Sequence, residues 1–253
     1  MREDLGCALD GKAFLGLDPR LYIEDLEESV KVAAETAAGL DGTALLGEPV
    51  RESLTVTLTF LVKERDPGRR SEILSRVNGW AQKGWLTMSS RPWQRLYVVC
   101  VHPAEGRAKP WHSAAQLVWT AFERPYWTDE EPVRAVVTGA SATARILPRG
   151  TRRCPLEAEI ENESGGTVNS LTLAANGRTV AFSGLNLGAG ETLRLYYDKR
   201  GLLHAETEQG GKLDCRTAES DDGIWLEPGR MNTVQVNAEG VCRTLLYARG
   251  EYD

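Results

Sequence analysis

The sequence predicts a mainly β protein with one helix, built as two domains: a first half that mixes strands with the helix, and an all-β second half of the sandwich or jelly-roll kind. Three observations predict it. Residues 53–62, "SLTVTLTFLV", alternate strictly between apolar and Thr-rich positions. One amphipathic run with helical spacing follows, at residues 67–83. Beyond Pro132 the chain falls into short alternating runs divided by Gly, Asn and Asp, with no helical period. A length of 253 residues with 42% apolar content suits one large or two modest domains, each able to bury a core.

The elements follow in order. Residues 23–39, "IEDLEESVKVAAETAAG", have helical composition, although Val30, Val32 and Ala34 also fit a strand; composition favours the helix. Residues 39–49, "GLDGTALLGEP", read as a Gly-rich loop of the kind that tips a long hairpin. In residues 53–62, Leu54, Val56, Leu58, Phe60 and Val62 share one face. Asp66 suits an N-cap and Pro67 the first helical position. Ile73, Leu74, Val77, Trp80 and Ala81 then repeat at helical spacing, with Lys83 at the C-terminal end and Gly84 as the stop. "WLTM" (85–88) and "RLYVVCV" (95–101) read as strands split by the turn "SSRPWQ" (89–94), and residues 115–123 as another. "RPYWTDEEPV" (124–133) marks the boundary, giving domains at residues 1–130 and 131–253. The strands of the second half are read at 155–162, 177–184, 190–198, 202–210, 232–237 and 242–248.

Charge and cysteine usage narrow the function classes. Residues 1–127 carry 16 Lys+Arg against 17 Asp+Glu, and residues 128–253 carry 14 against 19, so neither half is a bulk-basic nucleic-acid binder. The five cysteines, Cys7, Cys100, Cys154, Cys215 and Cys242, are odd in number and widely spaced, which favours reduced thiols over a disulfide framework. The opening residues are too polar for a secretory signal and no apolar run approaches a membrane span, so synthesis and folding in a cytoplasm are expected.

Residues 220–236, "SDDGIWLEPGRMNTVQV", set two carboxylates before a lone Trp. A calcium loop needs oxygen ligands at regular offsets, so Asp221 and Asp222 read as a solvated turn rather than a metal site. Trp225 and Leu226 read as a strand, Pro228-Gly229 as a tight turn into the next, with Trp225 as a core residue. Cys100, His102 and His112 lack a convincing fourth ligand for zinc, and His102, ahead of a Pro, is expected to leave its strand. "GASAT" around Ser141 lacks the second Gly of a nucleophile elbow. "GLNLGAG" (184–190) is not a phosphate loop. "RDPGRR" (65–70) could meet phosphate at a helix start, but a solvated helix start is the simpler reading. No catalytic, cofactor-binding or metal-ligating residue is assigned, and neither enzymatic activity nor a cofactor is expected.

The order of these pieces resembles the siphophage distal tail protein (Dit) family. The resemblance rests on the alternating strand, the helix ending in "NGWAQKGWLTMSSRPWQRLYVVCV", the strand closing in "WTAFERPYW", and an all-β half carrying "LRLYYDKRGLLHAET" and "DDGIWLEPGRMNTVQV". It implies an N-terminal domain related to the tail-tube fold and a C-terminal galectin-like sandwich. It implies a homo-oligomeric ring, usually a hexamer, that joins the tail tube to the baseplate or tail tip. The partners would be the tube protein and the tail-associated or receptor-binding baseplate proteins. DNA would pass through the channel without specific binding, and the chain would sit in the virion tail after assembly in the host cytoplasm, without inserting in a membrane. The resemblance also implies that "SVKVAAETA" is extended and that the Gly-rich stretch lies in a long hairpin, against the compositional reading. In this scheme residues 1–130 make the ring, the Thr face of residues 53–62 can meet channel water, and the sandwich hangs outside. The alternative is a carbohydrate-binding sandwich directed at the host surface, for which Tyr196, Tyr197 and Trp225 would have to be exposed together. A hydrolase is the third reading, with no carboxylate pair singled out.

Overall fold

The computed structural model describes residues 5–34, 36–39, 42–45, 50–108, 110–198 and 201–253. The chain forms two compact units, Met1–Trp127 and Thr128–Asp253. The protein is mainly β, with one α-helix among the described residues.

In the first unit an antiparallel sheet runs Lys12–Ala13, Cys7–Leu9, Lys83–Met88, Arg91–Ala108, Ser113–Ala121, Val50–Val62, Leu21–Ala33 from edge to edge. Alternation explains its centre: Leu54, Val56, Leu58, Phe60 and Val62 are each at most 1% exposed. The helix Pro67–Trp80 lays Ile73 and Val77 on this face. Aromatic rings tie the layers, Phe14 edge-on to Phe60 at 5.0 Å and Trp80 to Trp119 at 5.6 Å. Asn78 docks the helix on a strand, accepting from Ala104 N at 2.6 Å and donating to Ala104 O at 3.1 Å.

Several expectations are corrected. Residues 21–33 form a strand paired along Val50–Val62, not a helix, and Thr36–Gly39 pairs with Gly42–Leu45 beyond it. The hairpin tip at residues 40–41 and the rest of the Gly-rich stretch at 46–49 lie outside the described residues. Pairing along thirteen residues outweighs the few tenths of a kcal/mol per residue by which Glu, Lys and Ala prefer helix. The helix ends at Trp80, where Ala81 N–H still bonds Val77 O, and Lys83 already begins a strand. Gly84 is no helix stop; a Cβ there would fall within 2.7 Å of the Asp10 carboxyl carbon, and Asp10 Oδ1 accepts from Trp85 N at 2.9 Å. The turn read at residues 89–94 is two residues long, because the next strand starts at Arg91. His102 does not leave that strand: it runs on to Ala108, and the shifts in register around His102 are the kind of irregularity at which a strand tolerates the following proline.

The second unit is organised by one continuous strand, Asn232–Ala248, where the sequence pattern suggests two. Its first half pairs with Val168–Ala175 and its second half with Cys154–Asn162, while Val133–Ile146 follows it along the other side. Arg178–Leu187 extends one end of the sheet; Thr192–Tyr197 and then Leu203–Thr207 extend the other. Leu171, Leu173 and Phe182 from one end share a core with Leu156, Ile160 and Leu193 from the other, so the sheet bends back on itself into a two-layered sandwich. A bulge between Gly139 and Ser141 fits Val133–Ile146 to that bend. Before it Val133, Ala135 and Val137 face the core; after it Ala144 and Ile146 do, because two steps along this strand stand against five along Asn232–Ala248, an odd shift of register that inverts its period-2 pattern.

Candidate functional site

The distinctive surface of the first unit is the outward face of its sheet and the two edges of that sheet. Opposite the helix, the two central strands present Thr55, Thr57, Thr59 and Leu61 beside Ala114, Gln116, Val118 and Thr120. These eight outward positions carry no charge. They are cross-linked by hydroxyl and amide contacts, Thr55 Oγ1 to Thr120 Oγ1 at 3.2 Å and Gln116 Nε2 donating to Thr59 Oγ1 at 3.3 Å.

Charge lies at the margins. The edge strand Leu21–Ala33 holds Glu24, Asp25, Glu27 and Glu28 against one Lys31. Glu28 is engaged within the unit: it takes the Arg91 guanidinium at 2.9 Å and the Trp127 indole N–H at 2.9 Å. Lys31 pairs with Glu52 at 2.6 Å. Farther along, Val30, Val32 and Val50 are 43%, 52% and 64% exposed, so the outer part of this hairpin buries little apolar surface of its own.

The root of the hairpin is held by ions. Buried Asp18 takes Arg20 through Nε at 2.8 Å and Nη2 at 2.9 Å, while the third guanidinium nitrogen of Arg20 bonds Glu64, two residues past the end of Val50–Val62. The Arg20 hydrogen bonds hold the Asp18 carboxyl below the usual carboxylate range; for Glu64 the amide of Asp66 and then Arg20 do the same. Groups with depressed folded-state pKa values stabilise the fold above the unfolded value near 4 and lose that contribution as pH falls through the folded values. Asp18→Asn is therefore expected to cost about 2 kcal/mol at pH 7. Its melting temperature should also fall less steeply than the wild type's between about pH 4 and pH 2, and scanning calorimetry across that range checks both effects.

The residues singled out from sequence are dispersed. Asp221 is not a solvated turn residue: its Oδ2 accepts from Thr179 N at 2.7 Å and its own N–H donates to Thr179 O at 2.8 Å, pinning residues 215–221 along the edge strand Arg178–Leu187. Asp222 points to solvent, with Arg216 at 3.6 Å. Trp225 is half-buried rather than core, packed against Tyr197 at 5.7 Å; the buried residues of that stretch are Ile224 and Leu226. Tyr197 is in the core, its hydroxyl accepting from Ile224 N at 2.9 Å, and burial pushes its pKa up to about 12. Tyr196 lies on the other face, stacked on His204 at 5.1 Å with its hydroxyl donating to Glu206 at 2.7 Å. The three aromatics of the carbohydrate reading thus share no exposed face. Ser141 donates to Asn237 Oδ1 at 2.7 Å. Asp66 caps the helix by accepting from Arg69 N at 2.8 Å, so a carboxylate of the chain already occupies the anion position of "RDPGRR". Among the described residues no three His, Cys, Asp or Glu are placed to hold one metal ion, and all five cysteines are free thiols. Among the same residues no helix is long and apolar enough to cross a membrane.

Sequence reasoning overlooks two buried amides that organise the sandwich. Asn232 accepts from Glu227 N at 3.0 Å and Asn176 Nδ2 at 2.8 Å, and donates to Glu227 O at 2.9 Å and Arg230 O at 2.8 Å. Asn162 accepts from Ser164 and donates to Gly166 O and Leu187 O. A polar residue at a core-facing position of an alternating strand is the signal that could have found them.

Compared with known proteins, the chain matches no protein-family model and no curated sequence. Among solved structures it is similar to the crystal structure of the SPP1 Dit (gp 19.1) protein, described as a paradigm of the hub adsorption apparatus in phages that infect Gram-positive hosts. The TM-score is 0.70 at 13% sequence identity, and the match covers 97% of this chain and 98% of that one. With the helix-bearing sheet and the bent sandwich both contained in that match, the chain has the fold of a Dit-type phage distal tail protein.

Proposed function

We propose that this chain is a structural hub subunit of a phage tail, forming a ring that joins the tail tube to the baseplate or tail tip. The observation that carries this reading is the end-to-end likeness to a tail hub protein across both units, at 97% and 98% coverage. In this reading residues 1–130 make the ring, a hexamer, and residues 131–253 form a galectin-like sandwich outside it. The uncharged Thr face of the first sheet suits a DNA channel, since phosphate contacts from a basic wall would retard passage. The hub works by shape and assembly rather than catalysis, with the tube protein and receptor-binding baseplate proteins as partners. It resides in the virion tail after assembly in the host cytoplasm.

Native mass spectrometry of the full chain at micromolar concentration tests this. A closed ring of about six copies is expected, kept by residues 1–130 alone and lost by residues 131–253 alone. A strictly monomeric full chain would overturn the hub reading, and a ring made only by the second half would reverse the two roles.

A further inference from the structure

We propose that the outward sheet face of the second unit is a binding site for a neutral glycan. Tyr196 and Tyr247 seat the sugar rings, and Glu159, Arg194 and Glu206 take their hydroxyls. Tyr197 and Trp225 have no part in it, and the site does not depend on the ring.

Three observations carry the inference. The first is register. Leu203–Thr207, Thr192–Tyr197, Cys154–Asn162 and Asn232–Ala248 are successive neighbours in the sheet. Across them Glu206 pairs with Arg194, Arg194 with Glu159, and Glu159 with Leu245, so these side chains form one row. Their chain neighbours Ala205, Leu193, Leu195, Ala158, Ile160 and Leu246 are in the core, which sets the row on the outer face. Tyr196 stands two residues from Arg194 and Tyr247 two from Leu245, so both rings share that face. One strand lies between theirs, which separates the rings by about 10 Å and leaves room for a two-ring saccharide.

The second is preorganisation. The Tyr196 hydroxyl donates to Glu206 at 2.7 Å, and the Tyr247 hydroxyl to Glu159 at 2.9 Å. His204 backs the Tyr196 ring, nearly parallel to it at 5.1 Å. Each tyrosine thereby fixes a carboxylate beside its ring and uses one of that group's roughly four acceptor sites. Arg194 stands between the two carboxylates, its Nε 3.7 Å from Glu159, too long for a hydrogen bond, so this contact does not consume the N–H. Acceptors and donors alternating beside aromatic rings match a sugar, whose C–H face packs on an aromatic ring and whose hydroxyls both donate and accept.

The third is charge. On this face Glu157, Glu159, Glu161, Asp198 and Glu206 outnumber Arg134, Arg194 and Arg243. The excess of negative charge disfavours phosphate, sulfate and uronate groups and selects a neutral glycan.

The test uses the full chain. Labelled protein is applied to an array of neutral and acidic oligosaccharides, and the strongest neutral ligand is then titrated by calorimetry against wild type and variants. Wild type should favour neutral glycans. Tyr247→Ala, Arg194→Ala and Glu206→Gln should each weaken binding at least about tenfold, as loss of a hydrogen bond to a charged group or of a ring platform does. Trp111→Ala, which removes an exposed aromatic of the first unit, should leave binding unchanged. Arg194 and Glu206 are exposed, so their variants keep the fold and decide the matter even where Tyr247→Ala does not fold. A chain that forms its ring but binds no neutral oligosaccharide, prefers acidic ones, or binds equally well as Arg194→Ala and Glu206→Gln overturns this inference and leaves the hub reading intact. A monomeric chain that binds neutral glycans through these residues supports the inference and overturns the hub reading.

Discussion

Trp119→Ala is expected to destabilise the first unit by about 3–5 kcal/mol, the range for truncating a fully buried aromatic residue. Trp119 has no exposed surface. Its ring meets Trp80 edge-on at 5.6 Å, and its indole N–H donates to Ala81 O at 2.8 Å, just past the helix end. The truncation opens a cavity beneath the helix and leaves a buried carbonyl without that donor. Trp119→Phe should keep most of the packing and lose the hydrogen bond, costing roughly 1–3 kcal/mol. Trp93, 75% exposed, is the control: Trp93→Ala should change stability by no more than about 0.5 kcal/mol. Urea melts followed by tryptophan fluorescence and circular dichroism give the three values. A Trp119→Ala chain that unfolds at the wild-type midpoint would refute this account of the first core.

The second large effect is expected at Asn232 in the sandwich. This side chain is 1% exposed and makes four hydrogen bonds that hold residues 227–231 and tie Asn176 to them. Asn232→Ala strips partners from two backbone carbonyls, one amide and the Asn176 side chain, and groups that stay buried and unpaired cost about 1–3 kcal/mol each. Water reaches part of this loop, so the expected total is about 3 kcal/mol, measured by calorimetry on the full chain. Asn232→Asp should recover only part of the loss, because a carboxylate can accept from Glu227 N and Asn176 Nδ2 but cannot donate to the two carbonyls. Equal stability of the Ala and Asp variants would rule out separate donor and acceptor roles for this side chain.

Parts of this architecture are legible in short stretches of sequence. The Leu54–Val62 alternation, the Asp66-Pro67 helix start and the Pro228-Gly229 turn are local features, and each stands in the fold where its pattern puts it. Two further local signals carry hairpin turns. Asp10-Gly11 and Asn176-Gly177 both have positive φ at both residues, the geometry of tight hairpin turns, and the second links Val168–Ala175 to Arg178–Leu187.

The segments whose local pattern misleads share one cause. Leu21–Ala33 is exposed along most of both faces, so no apolar alternation reports that it is a strand; only its pairing with Val50–Val62 makes it one. Asn232–Ala248 resembles two strands because Ala238, Glu239 and Gly240 interrupt the apolar run at the bend, where the inward positions are less deeply buried. Its pairing with Val133–Ile146 on either side of the bulge is a property of the neighbour.

The amino-acid sequence by itself determined the class of the protein, two mainly β halves with one capped helix, because alternation and capping act over a few residues of contiguous chain. Tertiary structure alone decided which strand is an edge, where the second sheet bends, and which charges end as internal pairs, like Glu28 with Arg91, or as surface acids, like Glu24 and Glu27. Those outcomes depend on contacts between residues far apart in the chain, and the same local composition is compatible with either fate until the partner strand is in place.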